Sequence, residues 1–549
     1  MPDGVLDTAA RRRALDAAVS GELDLLVVGG GITGAGAALD AATRGLRVAL
    51  VEARDFAAGT SSASSKVIHG GLRYLEMGDI GLVREGLRER ELLLTRTAPH
   101  LVRPLPFLWP LRGRVWERAY LGAGLLLYDS LGGARSVPRH RHLSRRGAMA
   151  VAPGLRSDAL IGAVQFFDAA EDDARMVAVV ARTAAAHGAE IATRVRVTGF
   201  RGPGVVEAVD EEAGEDVVLR ARHVALACGP WTDRLRALAG GRSPWRLVPS
   251  KGVHVFVAGD RIKMKSGLLA RTEKSVLFVV PFQGGWLIGD TDTPWASGDD
   301  HPVATGADVD YLLARANALL AEPLRRDDVH GVTAGLRPLV ARAAQRDTTR
   351  ISRRHVVEAP APWLTTIAGG KYTTYRVMAA DLVDAAARAL GSSASCVTRD
   401  VALLGAGAAR LDGDAATDDL VRRYGALAGE VVALAERDPR LAEPLEGGGG
   451  HLRAEVVHAC LYEGALRLED VLERRTRLAL TAPDRGLAAA DPAAELMAGA
   501  LGWSAERARR EADAWRARVA AARAAEAERD DTSALAAYRA ALVPPVAAP

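Results

Sequence analysis

The chain has 549 residues, with 71 Lys and Arg against 68 Asp and Glu, a formal charge of +3 and 49% hydrophobic residues. That length is enough for about three or four domain-sized units, and the near balance of charge speaks against nucleic-acid binding driven by bulk charge. Three distant cysteines, Cys228, Cys396 and Cys460, with no CxxC pair, argue against a disulfide framework, a zinc site or an iron–sulfur cluster, so no metal is expected.

Residues 1–21, MPDGVLDTAARRRALDAAVSG, lack an apolar signal core and read as an N-terminal arm of a protein that stays in the cytoplasm. Residues 24–52 then read DLLVVGGGITGAGAALDAATRGLRVALVE: an apolar strand, a glycine turn, a helix of small residues from Ala35 to Arg44, a second strand and an acid. Gly29, Gly31 and Gly34 fall on the G-x-G-x-x-G spacing of a dinucleotide-binding βαβ unit. Gly29 permits the tight turn, Gly31 lets a pyrophosphate approach the backbone, and Gly34 lets helix and strand pack closely. Glu52 closes the second strand, where a carboxylate accepts from both ribose hydroxyls and repels a 2′-phosphate. The spacing leaves FAD and NAD as alternatives and disfavours NADP.

Residues 59–75, GTSSASSKVIHGGLRYL, carry Lys66, His69, Arg73 and Tyr74 among hydroxyls and glycines, with no periodic apolar face. This reads as a ligand loop rather than a flexible linker. An amphipathic helix is predicted over 82–95. The segment 104–133 joins Phe107, Trp109, Trp116, Tyr120 and several leucines to Arg112, Arg114 and Arg118, a composition that suits either a membrane interface or an ordinary core helix pair. Its longest apolar stretch, Ala119 to Tyr128, is far shorter than the roughly 20 residues a spanning helix needs.

Further along, a helix is predicted over Ala174 to His187, a strand pair over Glu190 to Val197 and Val205 to Val209, and a strand that runs into Gly229-Pro230. Cys228 there is assigned to packing, since buried cysteine behaves as a small hydrophobe. From 245 to 330 the pattern becomes alternating strands with one helix over 310–320. Residues 331–395 return to the nucleotide-binding half through a strand, the turn at Gly369 and Gly370, and a helix starting at Lys371 to Thr374. From 396 onward the chain is Ala/Arg/Glu-rich and helical, with a glycine linker at 443–451 and a solvated helix face over 504–531. Only six of the 71 basic residues are lysine, and Lys66, Lys251 and Lys371 lie within the motifs quoted below, where a compact ammonium is preferred to a planar fork.

The segment GGGITGAGAALDAATRGLRVALVEARDFAAGTSSASSKVIHGGLRYLE closely resembles the N-terminus of the FAD-dependent, quinone-linked glycerol-3-phosphate dehydrogenases. REGLRERELLLTRTAPHLVRPLPFLWP, YDSLGG, FFDAAEDDARMV, ACGPWTD, SKGVHVFV, VLFVVPF, IGDTDT, AGLRPL and IAGGKYTTYRVMA resemble that family's later landmarks, in order, across residues 22–390. The resemblance implies an α/β fold class: a discontinuous Rossmann-like FAD-binding domain (22–244 and 331–395), an antiparallel β-rich substrate cap (245–330) and a C-terminal helical domain (396–549).

The same resemblance implies FAD as cofactor, held by Gly29, Gly31, Gly34, Glu52, Ser61, Ser65, Lys66, His69, Gly71, Gly229, Gly369 and Gly370. It implies sn-glycerol 3-phosphate as substrate, bound by Arg73, Tyr74, Arg337, Arg353 and Lys371, with His254, Arg337 and Lys371 carrying the chemistry. Oxidation at C2 requires a clamp for the dianion, a base for the hydroxyl, and the flavin N5 over the C2 hydrogen. Arg73, Arg337 and Arg353 come from three chain segments, as convergence on one phosphate demands, and Arg354 is the alternative to its neighbour. His254 is the candidate general base, against the alternative of a satisfied core histidine, and Lys371 could instead hold a water or lower the pKa of the substrate hydroxyl. The helix that starts near Lys371 would aim its N-terminal dipole at the pyrimidine edge of a reduced flavin.

A membrane quinone is the implied acceptor. A chain without a spanning helix reaches it only from the bilayer surface, so 104–133 is the candidate for a peripheral contact on the inner face of the cell membrane. A homodimer is a candidate assembly. The alternatives are an oxidase that passes electrons from the same substrate to oxygen, a flavoenzyme of the same superfamily acting on a small hydroxy acid or amine, and a non-catalytic flavoprotein.

Overall fold

The computed structural model describes residues 4–113, 115–132, 136–273, 276–296, 301–342, 354–407 and 415–542. The apolar run Leu23–Val28 forms the centre of a parallel sheet, between Val48–Val51 and Glu215–Leu226. Leu364–Ala368 adds outside Glu215–Leu226, and Glu190–Ala192 outside Val48–Val51, both parallel. Continuous rather than alternating apolar residues are what a sheet covered on both faces requires. Helices Ile32–Thr43, Asp173–Ala186 and Tyr375–Leu390 share one core on its face, where the alanines of the first allow close approach. These strands turn their carboxyl ends to one edge, where Gly29, Glu52, Ala227 and Gly369 follow, and open α/β sheets bind ligands at such an edge.

The predicted helices are present with shifted ends: Ile32–Thr43, Ile80–Leu92, Asp173–Ala186 and Gly306–Asn317. Caps explain three of the earlier starts. Asp79 accepts from the Leu82 amide, Asp172 from that of Arg175, and Thr305 closes a capping box with Asp308. The strand predicted over Glu190 to Val197 breaks at Arg194, whose φ is +57° and whose guanidinium reaches Asp470 at 2.7 Å.

A second sheet, mostly antiparallel, is built around Trp245–Ala258, which pairs with Gly285–Gly289 and with Val329–Arg342. It continues through Val276–Phe282, Gly267–Arg271 and Arg103–Leu111 to Gly162–Ala170. The cap therefore differs from the expected span of 245–330. Register runs from Val257↔Val329 to Trp245↔Arg342, which carries Arg337 into this sheet, and Val67–Ile68, Arg103–Leu111, Arg141–Ser144 and Gly162–Ala170 belong to it too. The hairpins of 245–289 alone would leave Gly267–Arg271 as an unpaired edge, and Arg103–Leu111 covers it, with Gly267 opposite Phe107.

The described part of the segment 104–133 is a buried strand followed by a surface helix. Its first part lies inside this sheet, with Trp109 only 9% exposed. Its second part is the surface helix Val115–Leu131, which leaves Trp116 58% and Leu126 62% exposed. Among the described residues no helix is long and apolar enough to cross a membrane.

The stretch expected to be a solvated helix face is instead a packed helix, Ala505–Ala527, which buries Trp515, Val519, Ala521 and Ala525. It lies against Ala490–Leu501 and Asp531–Ala541. The arm is likewise docked: Arg11 donates to the Thr193 carbonyl and pairs with Asp210. Buried ion pairs join the C-terminal helices to the nucleotide-binding half, among them Arg175 with Glu463, Arg182 with Glu430, and Asp55 with both Arg474 and Arg475.

Candidate active site

The edge of the parallel sheet and the second sheet enclose a cavity of about 1630 Å³. Pockets for single drug-sized ligands span about 300–1000 Å³, so this one has room for a dinucleotide together with a small substrate.

Gly29, at φ +112°, approaches the strand ending at Ala227 so closely that a Cβ would lie 2.6 Å from the Ala227 carbonyl oxygen, and a Cβ at Gly34 would overlap the Gly29 carbonyl. Only glycine fits either place. Gly31 caps the helix Ile32–Thr43, whose first amide donates to Ser61 Oγ at 3.1 Å. Glu52 is fixed at the cavity edge by the amides of Gly30 (2.6 Å) and Arg54 (2.8 Å). Gly71, Gly229, Gly369 and Gly370 also line the cavity, each with positive φ. A helix N-terminus capped by glycine, a backbone cradle and a carboxylate at the cavity edge fit FAD. Arg54, with its Cζ 5.3 Å from the Trp231 ring centre, walls the same end, although only their places in the quoted segments, VEARDF and ACGPWTD, pointed to either residue. Cys228 donates to the Val28 carbonyl at 3.3 Å, and burial raises its thiol far out of the thiolate range, which matches a packing role.

The other end is charged. His254 is 2% exposed and its ring fills the space left by the missing side chain of Gly289 on the neighbouring strand. Its Nε2 lies 2.9 Å from Ser65 Oγ. Burial pushes its pKa down to about 4, against the pull of Asp290, so the ring is neutral at pH 7. Arg337 gives Nη2 to Asp290 and, at 2.9 Å, to the Thr291 carbonyl, while its buried Nη1 has no hydrogen-bond partner. Burial opposes its charge, but Asp290 and Asp292 more than offset that and keep it protonated. Lys371 Nζ sits 3.6 Å from the centre of the Tyr74 ring. His69, also at the wall, is pushed down to about 3 by burial and by Lys371 and Arg90.

The fold thus gathers Tyr74, His69, Ser65, His254, Arg337 and Lys371 around one cavity with Glu52 and the glycines. Lys66 is not among its lining residues. The chain turns inward there at φ +59°, and the ammonium is buried on Asp173 and the Ser62 carbonyl, both at 2.7 Å, behind the loop. Arg73 opens the short helix Arg73–Glu76, but its side chain and all of Arg353 lie outside the described residues. Arg354, the alternative, pairs with Asp79 at 2.6 Å and does not line the cavity. Asp290 and Asp292 do line it, and the only sequence signal for them is the pair of acids in IGDTDT.

Burial holds His69, His254, His100, His223 and His301 neutral, the first with a pKa of about 3 and the others about 4. Unfolded histidine titrates near pH 6.5. Between those values the unfolded chain binds more protons than the folded one, so this stability is complete above about pH 6.5 and falls as pH drops. The four sites near 4 contribute at most about 3 kcal/mol each and His69 at most about 5 kcal/mol. Calorimetry should show Tm nearly level from pH 8 to 7 and falling from pH 7 to 5; a Tm unchanged down to pH 5 would show that these rings are not buried neutral.

A family model described as FAD dependent oxidoreductase matches residues 24–376, and one described as the C-terminal domain of alpha-glycerophosphate oxidase matches residues 396–508. The chain is 48% identical to glycerol-3-phosphate dehydrogenase 2 of Mycobacterium tuberculosis over 551 residues, covering 97% of this chain and 94% of that protein. It is 36% identical to the mitochondrial glycerol-3-phosphate dehydrogenase of Mus musculus, over 88% of this chain and 71% of that protein. Its structure matches the X-ray structure of the glycerol-3-phosphate dehydrogenase from Bacillus halodurans complexed with FAD, with a TM-score of 0.76 and 28% identity, over 94% of this chain and 98% of that one.

Proposed function

Because the chain belongs to the FAD-dependent glycerol-3-phosphate dehydrogenase family, we propose that it oxidises sn-glycerol 3-phosphate to dihydroxyacetone phosphate and passes the electrons to a membrane quinone. The observation that carries the reading is the placement of a neutral imidazole and two cations, His254 with Arg337 and Lys371, in the cavity that holds the glycine cradle. Bound FAD supplies the acceptor for the C2 hydrogen and its electron pair. Nδ1 of His254, which has no hydrogen-bond partner among the described residues, takes the C2 hydroxyl proton, while Ser65 Oγ holds Nε2 and so fixes the ring for that transfer. Arg337 is pinned through Nη2 and offers Nη1 to a phosphate oxygen. Lys371 brings a second positive charge, held against the Tyr74 face. Arg73 and Arg353 stand as further candidates for the clamp.

Anaerobic turnover with an artificial dye tests this directly. One dihydroxyacetone phosphate should form per two electrons delivered to the dye, and glycerol without its phosphate should have kcat/KM lower by roughly 10³-fold, since the charge-assisted contacts of Arg337 and Lys371 to the phosphate are then not made. Equal turnover of glycerol would refute a phosphate site, and oxygen serving as well as quinone would favour an oxidase.

The helix Val115–Leu131 supports the membrane part of the reading. Trp116 and Leu126 stand exposed on it, while Tyr120 and Leu127 are exposed and also line the cavity, so the apolar surface reaches the site. Aromatic and leucine side chains in that position suit the bilayer boundary. Replacing Trp116 and Leu126 together by serine should weaken binding to anionic vesicles by roughly 10- to 100-fold and leave dye-linked turnover intact. Trp109→Ser should instead destabilise the fold by about 3–5 kcal/mol, because that ring is buried in the sheet. Vesicle binding unaffected by the double replacement would remove this helix as the contact.

A further inference from the structure

We propose that the C-terminal helical domain acts on the chemistry through Arg477, a positioning residue that fixes the loop from Ser62 to Lys66 and, through Ser65, the imidazole of His254. The inference rests on the reading of His254 as proton acceptor.

Arg477 precedes the short helix Leu478–Thr481, within the stretch that forms the C-terminal domain, yet its guanidinium is buried in the other half of the molecule. It donates to Asp172 Oδ1 from Nε (3.0 Å) and Nη2 (2.7 Å), to Asp173 Oδ1 from Nη2, and to the carbonyl of Ser62 from Nη1 (3.3 Å). The other oxygen of Asp173 holds the loop at two further points. It accepts from the Ser64 amide (3.0 Å) and hydroxyl (2.7 Å) and from Lys66 Nζ (2.7 Å). Lys66 in turn donates back to the Ser62 carbonyl at 2.7 Å. Ser65 lies between two residues tied to one carboxylate, and its hydroxyl faces His254 Nε2 at 2.9 Å.

Charge balance explains why the arginine must come from outside the loop. Three acids stand in a row, and burial with the acidic neighbour Asp173 pushes the pKa of Glu171 well up, with neither carboxyl oxygen hydrogen-bonded. The ion-paired groups are Asp172 and Asp173 with Lys66 and Arg477, two of each sign. Without Arg477 an unpaired negative charge would remain beneath the loop, and removal of one member of a buried charge set is costly to local order. A lysine offers a point charge and cannot reach both carboxylates and the Ser62 carbonyl at once. Arg182, which pairs with Glu430 of the C-terminal helices, is a comparable buried tie that makes no contact with this loop.

The test uses the FAD-loaded enzyme labelled with ¹⁵N-histidine, with the His254 signals assigned by His254→Asn. Arg477→Lys should shift the His254 ring resonances and slow reduction of the bound flavin by roughly 10- to 100-fold, as a misplacement near 1 Å does, with KM changed less than about threefold. Arg182→Met should lower Tm and move neither readout. Unshifted His254 resonances in folded Arg477→Lys would overturn the inference whatever His254 does. Reduction at the wild-type rate in His254→Asn would instead refute the proton-acceptor reading, and the resonances would still decide the role of Arg477. If both variants are slow, the rate loss from Arg477→Lys should shrink in the His254→Asn background, and full additivity would count against a path through His254. Should Arg477→Lys fail to fold, Asp172→Asn loosens the same grip and gives the same readouts.

Discussion

Replacement of His254 by asparagine is expected to slow flavin reduction by about 10²- to 10⁴-fold, the usual contribution of a positioned general base, with little change in substrate affinity. Asparagine is smaller than the ring lodged against Gly289 and can keep one hydrogen bond to Ser65, so the strand pairing of Trp245–Ala258 should survive. The loss should narrow at high pH, where hydroxide takes the proton, and a C2-deuterated substrate should show an isotope effect if that step limits. Since burial lowers the His254 pKa to about 4 in the free enzyme, the acid limb of kcat/KM should lie well below pH 6.5. Single-turnover reduction at an unchanged rate across pH would return His254 to the role of a packed strand residue, with Lys371 as the next candidate.

Arg337→Ala should cost about 2–4 kcal/mol of substrate affinity, the range for a charge-assisted contact in a desolvated site, with flavin content unchanged. The upper end is expected, because Asp290 and Asp292 would then face the phosphate without the charge that offsets them. Arg337→Lys should also be poor: an ammonium cannot hold Asp290, the Thr291 carbonyl and a ligand oxygen in one plane. Adding Asp290→Asn to Arg337→Ala should recover part of the loss by removing the repulsion. Titration of the variants with substrate decides it, and wild-type kcat/KM in Arg337→Lys would exclude a phosphate clamp.

The glycine triplet, Glu52 and the hydroxyl-rich loop were legible because their roles are set by local geometry: a turn, a helix start, a strand end. His254, Arg337 and Lys371 were legible as members of ordered motifs, and the structure gathers them in one cavity. What the sequence hid depends on partners far along the chain. Lys66 turns inward because Asp173 lies there, 107 residues away, and Arg477 reaches the same carboxylate across 304 residues. The second sheet borrows strands from before residue 171 because its edge needs covering, which no local pattern records. Ala505–Ala527 looked solvated because its buried face is mostly alanine, which gives little contrast with the charged face even where Trp515 anchors it.

The most direct test of the family chemistry in this chain is the visible spectrum of the purified protein, taken anaerobically before and after addition of sn-glycerol 3-phosphate. A flavin band at about 450 nm should be present at the start and bleach within the turnover time. A colourless protein that turns over with a nicotinamide, or a flavin spectrum that the substrate leaves unchanged, would contradict FAD-dependent oxidation of glycerol 3-phosphate.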